Sequence, residues 1–284
     1  VKVRSEVRVR LEVLFTPLHK KAAKGSLPSI GFLSDELVRA LDRARKGAKS
    51  ITIGQNVARA FATAAVDIWS RSVHSFLISC SLTKASPIWA SATGYYSSHY
   101  SIRAIAHLLG YFQLFRKKCI IVLNVSGGSY SCEIQAKHAA DREHRFYWRV
   151  VKEHPQFASD LVFTTNESRT DTTEVGHRDR ANYSDHVGHI PKFQVVGEDE
   201  LKQRIAHISQ IRFDALPSPR LSSFPDVESV QVVAYHRIVR FRQLLDEGVG
   251  VSNRFWSVHR QPSWVGDLMN FQVTAPGGLH AMAN

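Results

Sequence analysis

The densest chemistry in the sequence lies in GHRDRANYSDHVGHIPKF, residues 176–193, where three histidines, Arg178, Arg180 and two aspartates surround Asn182 and Tyr183. Such a set holds the materials for cutting RNA without a metal. That reaction needs a base for the ribose 2′-hydroxyl proton, an acid for the leaving oxygen and cationic donors for the phosphorane. Histidine transfers protons near neutral pH, and arginine suits the charge that develops on phosphate. Arg180 and His186 stand six residues apart, so a helix with a bend, or a helix end, brings both within reach of one phosphate. In the alternative, Arg180 pairs with Asp179 or Asp185 and His186 is a solvated surface residue. The same segment offers His177, His186, His189, Asp179 and Asp185 as donors for zinc or manganese, but their spacing matches no standard signature, and neither a metal nor another cofactor is expected.

These residues need elements to position them. Trp89–Arg116 has no proline and carries apolar residues at helical spacing, which predicts a central helix. Spacings of seven and four place Tyr96, Arg103 and His107 on one side of it, with His99 beside them. Ile102, Ile105, Leu109 and Phe112 form the neighbouring stripe that faces other helices. Such a basic and aromatic edge suits nucleic acid; the blander reading has Arg103 snorkelling and both histidines at the surface or hydrogen-bonded in the core. Residues 56–83 read as a second long helix, and the short break at 84–87 turns it back against the first as an antiparallel hairpin.

Residues 1–13 alternate with a period of two and read as a strand with one buried face, or as an arm that adds to a partner's sheet. Ser34 caps a helix running to Lys46. Residues 119–135 form a hairpin about SGGS. A short helix within 138–154 presents Arg142, Arg145, Tyr147 and Arg149, and a turn of helix lies near 157–163. Helices follow over 199–211 and 227–247, the last ending at Gly248 with His236, Arg237, Arg240 and Arg242 as a positive rim. An irregular cap packed through Phe255, Trp256, Trp264 and Phe271 completes the chain. The fold class is mainly α: an antiparallel helical bundle with a small β element and a C-terminal helical extension.

The helix pair with YYSSHYSIRAIAHLLG, followed by RDRANYSDH, resembles the HEPN superfamily of higher eukaryote and prokaryote nucleotide-binding proteins over residues 56–210. Arg180 and His186, with five residues between, match that family's ribonuclease motif, and Asn182 or Ala181 occupies its polar position. The inserted hairpin and Ala181 depart from the pattern. The resemblance implies an endoribonuclease in which His186 is general acid or base, Arg180 holds the phosphate and Asn182 or Tyr183 orients the scissile group, with Arg103, His107 and His99 binding RNA from the neighbouring helix. It further implies dimerisation around a shared cleft, and a toxin or antiviral role. It divides the chain into an N-terminal strand arm and helix over 1–50, a HEPN-like bundle over 51–212 and a C-terminal helix and cap over 213–284.

The charge balance points the same way independently. With 37 Lys and Arg against 25 Asp and Glu, the net charge of +12 favours an anionic partner, RNA or DNA ahead of an anionic membrane, and RNA is the expected partner with DNA second. A non-catalytic subunit that binds nucleic acid through Arg178, Arg240 and Arg242, in a complex or with copies of itself, is therefore the alternative to an enzyme. Cys80, Cys119 and Cys132 read as free thiols in a reducing compartment, and no apolar leader or spanning run is evident, so a cytoplasmic protein without a membrane partner is expected. The sequence lacks a GxxxxGK[ST] loop, HExxH and GxSxG, which argues against a P-loop ATPase, a zincin and an α/β-hydrolase.

Overall fold

The alternating N-terminal segment folds as a helix, which corrects the strand expectation. A computed structural model of the chain describes residues 2–21, 30–136, 143–164, 196–215 and 227–250. Helix α1 (Ser5–Lys21) opens it, and Val3, Val7, Leu11, Leu14 and Phe15 are buried. A spacing of four fits both periods, so Val3, Val7 and Leu11 satisfy strand and helix alike. Val9 and Leu14 separate them: Val9 is 56% exposed and Leu14, outside the alternation, is fully buried. The Gln156 side chain secures the start of α1, accepting the Arg4 N–H at 2.8 Å and donating to the Lys2 carbonyl at 3.1 Å.

The architecture is mainly α, with a small four-stranded antiparallel sheet and a C-terminal helix. After α1 come α2 (Ile30–Arg43), β1 (Ser50–Thr52), α3 (Gln55–Ser81), α4 (Pro87–Leu108), β2 (Tyr111–Leu114), β3 (Cys119–Ser126) and β4 (Ser129–Ala136). Then follow α5 (Glu143–Glu153), α6 (Leu161–Thr164), α7 (Glu198–Gln210) and α8 (Val227–Val249). Helix α2 begins a turn before the expected Ser34 cap, and α8 runs one residue past Gly248. The described residues fall into two compact units that interleave along the chain: residues up to 69 with 102–156 and those from 243, and 70–101 with 157–242.

In the first unit the sheet order is β1-β4-β3-β2. The expected hairpin is β3–β4, closed by Gly127 and Gly128 at φ 54° and 82°, the pair of positive values that a two-residue type I′ turn needs. Ile51 pairs with Cys132 on one edge, and β2 pairs with Cys119–Val122 on the other. Strand β2 corrects the expectation of a helix to Arg116. Gly110, at φ 90°, breaks away after α4, its carbonyl taking the Leu123 N–H at 2.8 Å. A Cβ there would lie 2.7 Å from Arg10 Nη1 and 3.1 Å from the Leu123 carbonyl oxygen. Gly110→Ala is therefore expected to cost about 1–2 kcal/mol, read as a lower urea midpoint at unchanged slope.

In the second unit α3 and α4 pack antiparallel, as expected of the hairpin. The Ser72 hydroxyl reaches the Ser97 carbonyl at 2.6 Å and the Ser101 hydroxyl at 2.7 Å, while Ser79 donates to the Ala90 carbonyl at 2.6 Å. Small side chains make this approach possible and bring polar groups into the interface, where Ser72, Ser79, Ser97 and Ser101 bond one another or a facing carbonyl. Gly94 lets α8 close in: a Cβ would lie 2.9 Å from Val230 Cγ1.

Candidate functional site

Arg178, Arg180, Asn182, Tyr183 and His186 lie outside the described residues, as do His177, His189, Asp179 and Asp185 of the metal reading. Among the described residues no group of three or more His, Cys, Asp or Glu side chains converges to hold a metal ion. None of their helices is long and apolar enough to cross a membrane.

Helix α4 positions the candidates His99, Arg103 and His107, and both histidines are buried. His107 is fully buried, its Nε2 3.4 Å from the Tyr147 hydroxyl, which accepts the Gln113 N–H at 3.1 Å. Its ring packs on Phe112 and Tyr147 at centroid distances of 5.1 and 5.6 Å. Among the described residues Nδ1 has no hydrogen-bond partner. Burial first, and the charge of Arg103 second, push the His107 pKa well below its ordinary value, so the imidazole is neutral at physiological pH. The Arg103 guanidinium carbon stands 5.4 Å from the Tyr147 ring centroid, a cation–π arrangement. His99 is 6% exposed and stacks on buried Tyr95 with ring planes 8° apart. The seven-and-four spacing does align these residues, but α4 is buried on that side at His107 and His99, so the exposed basic edge does not form as expected. Tyr147, expected on the presented face of a short helix, is fully buried in α5.

The positive rim of α8 is likewise only partly a surface. Arg237 is 1% exposed; its Nε and Nη2 each donate to the Val162 carbonyl at 3.1 Å, and Nη1 donates to the Ser98 hydroxyl. His236 donates from Nε2 to the Ile211 carbonyl at 2.8 Å, and burial lowers its pKa. Arg240 donates to Asp160 Oδ2 at 2.8 Å, and Arg242 is half-buried. A run of cations along one helix reads as solvated until its neighbours are known; here Val162 on α6, Ser98 on α4, Asp160 just before α6 and Ile211 just after α7 supply the oxygens.

One constellation escaped the sequence altogether. Arg204 on α7 donates from Nε and Nη2 to Gln231 Oε1 at 3.0 and 2.8 Å and from Nη1 to Glu228 Oε2 at 3.0 Å, the same oxygen that lies 3.0 Å from His207 Nε2. Gln231, fully buried on α8, passes the contact to α3 through its amide, which donates to the Ser79 carbonyl and hydroxyl and to the Thr83 hydroxyl. Arg204 and His207 share one helix face, but their partners are 24 and 21 residues away, and no local spacing announces them. Three helices are fastened by these four side chains, and His207 is held by a carboxylate at their exposed end. The thiols offer no reactivity: all three cysteines are buried, and burial pushes Cys132 up to about 12.

The chain matches no protein-family model, no curated protein and no solved structure.

Proposed function

We propose that this chain acts on RNA as a metal-independent endoribonuclease, with His186 transferring the proton and Arg180 holding the phosphate. The observation that carries the reading is the arginine–histidine juxtaposition in RDRANYSDH within a chain of net charge +12. The antiparallel α3–α4 pair supports it, because the HEPN resemblance rests on such a pair ahead of the motif. Asn182 or Tyr183 orients the scissile group. The buried His107 takes no part as an acid, since burial and the charge of Arg103 keep it from the imidazolium form at neutral pH.

A second reading, binding without cleavage, gains from the burial of His99 and His107. Burial removes the α4 imidazoles from a surface site while the excess of arginine persists. The deciding experiment incubates the purified protein with mixed cellular RNA in EDTA, comparing wild type with His186→Ala. The endoribonuclease reading expects products with wild type alone. Intact RNA in both lanes, with a salt-sensitive mobility shift, would overturn it in favour of a binding subunit, alone or in a larger assembly.

A further inference from the structure

Helix α4 carries a row of aromatic side chains that reaches the surface. Trp89, Thr93, Tyr96 and Tyr100 are spaced four, three and four residues apart, which keeps them on one helix face over about 16 Å. Trp89 is 59% exposed and Tyr96 36%, two of the five large hydrophobic side chains exposed among the described residues. Tyr100 is half-buried. Thr93 turns its hydroxyl back to the Trp89 carbonyl at 2.7 Å, so the face carries no outward polar competitor there.

The rings are held before any partner arrives. The Tyr96 and Tyr100 centroids are 6.3 Å apart with planes 29° apart, a stacked pair. Behind them lies a second layer: Tyr95 meets Tyr96 edge-on at 5.4 Å, and His99, stacked on Tyr95, meets Tyr100 at 5.9 Å. Buried Tyr95 and His99 thus brace the two outer tyrosines, which gives the burial of His99 a purpose.

We infer that this face is a stacking platform for the bases of single-stranded RNA, an assignment that rests on the RNA reading above. Aromatic faces stack on any base, and a net charge of +12 complements a phosphate backbone and opposes apposition of a second, equally cationic copy. Single strands fit because a duplex keeps its base faces inside the stack.

The test measures fluorescence anisotropy of a labelled 2′-O-methyl oligoadenylate, which resists cleavage, and of an abasic strand of equal length. Wild type is expected to bind the oligoadenylate at least about ten-fold more tightly than the abasic strand. Trp89→Ala/Tyr96→Ala/Tyr100→Ala should lose that preference and keep its affinity for the abasic strand, and phenylalanine at all three positions should restore most of it. Trp89→Ala alone, a change at the most exposed ring, should lose about three-fold and serves if the triple variant fails to fold. Equal affinity of wild type for both strands, unchanged by the alanines, would overturn the platform while leaving phosphate-driven RNA binding in place. Alanines that alter only sedimentation would overturn it in favour of a protein-docking face. No binding by wild type to either strand would remove the RNA reading itself.

Discussion

Replacing Gln231 by leucine should destabilise the protein by about 3 kcal/mol, the effect of losing several buried hydrogen bonds at roughly 1 kcal/mol each. Leucine keeps helix propensity and fills similar space, so the loss reports on polar contacts more than on packing. The Gln231 carbonyl takes two donors from Arg204, and its amide supplies three contacts to Ser79 and Thr83. Ser79 and Thr83 keep other bonds, to the Ala90 and Cys80 carbonyls, so most of the penalty falls on Arg204. Its guanidinium would retain Glu228 alone, in a site with a side-chain exposure of 22%. Thermal unfolding should fall by roughly 6–10 °C. Adding Arg204→Met to Gln231→Leu should cost less than the two single changes summed, because removing both partners of a buried bond is cheaper than stranding one. Strict additivity would mean that the two side chains act independently and that the network is not a unit.

The same network shows where sequence reading stops. Periodicity locates elements whose burial is one-sided, and α3, α7 and α8 are found within one or two residues by that signal. It fails where two periods share their hits, as in α1, and where a helix stripe runs on into a strand. Leu109 and Phe112 continue the apolar pattern of α4, yet Gly110 at positive φ ends the helical path and sends Phe112 into β2. Side-chain partners are harder still. Tyr147 looks like part of a basic, aromatic surface beside Arg145 and Arg149; it is instead the hydroxyl on which His107 and the Gln113 N–H converge. Arg237 counts towards the charge of +12 but is spent on Val162 and Ser98 inside the core. Formal charge read from sequence thus overstates the cation available to a partner. The aromatic face of α4 is half visible in the sequence: Tyr96 stands out by its spacing from Arg103, whereas nothing local distinguishes Trp89 and Tyr100, whose placement depends on exposure in the fold.

Burial of His107 makes the folded protein less stable as pH falls below the ordinary histidine pKa. In the unfolded chain its imidazole titrates near its ordinary value of about 6.5; in the folded chain burial and Arg103 hold the pKa well below that. Above pH 6.5 neither state carries the proton and the residue adds no pH dependence. Below it the unfolded state takes up a proton that the folded state refuses, so stability falls as pH falls, by about 1.4 kcal/mol per pH unit until the depressed folded pKa is reached. His154 and His236, whose pKa values burial also lowers, add slopes of the same sign, as does general repulsion in a cationic chain. Comparison with His107→Gln separates them, because glutamine keeps a polar group opposite the Tyr147 hydroxyl and cannot titrate. The two stability profiles should run parallel above pH 6.5 and draw together below it, as wild type loses stability faster than the variant. Profiles that stay parallel from pH 7 to pH 5 would show that His107 takes up its proton equally in both states, and the buried, neutral imidazole beside Tyr147 would have to be abandoned.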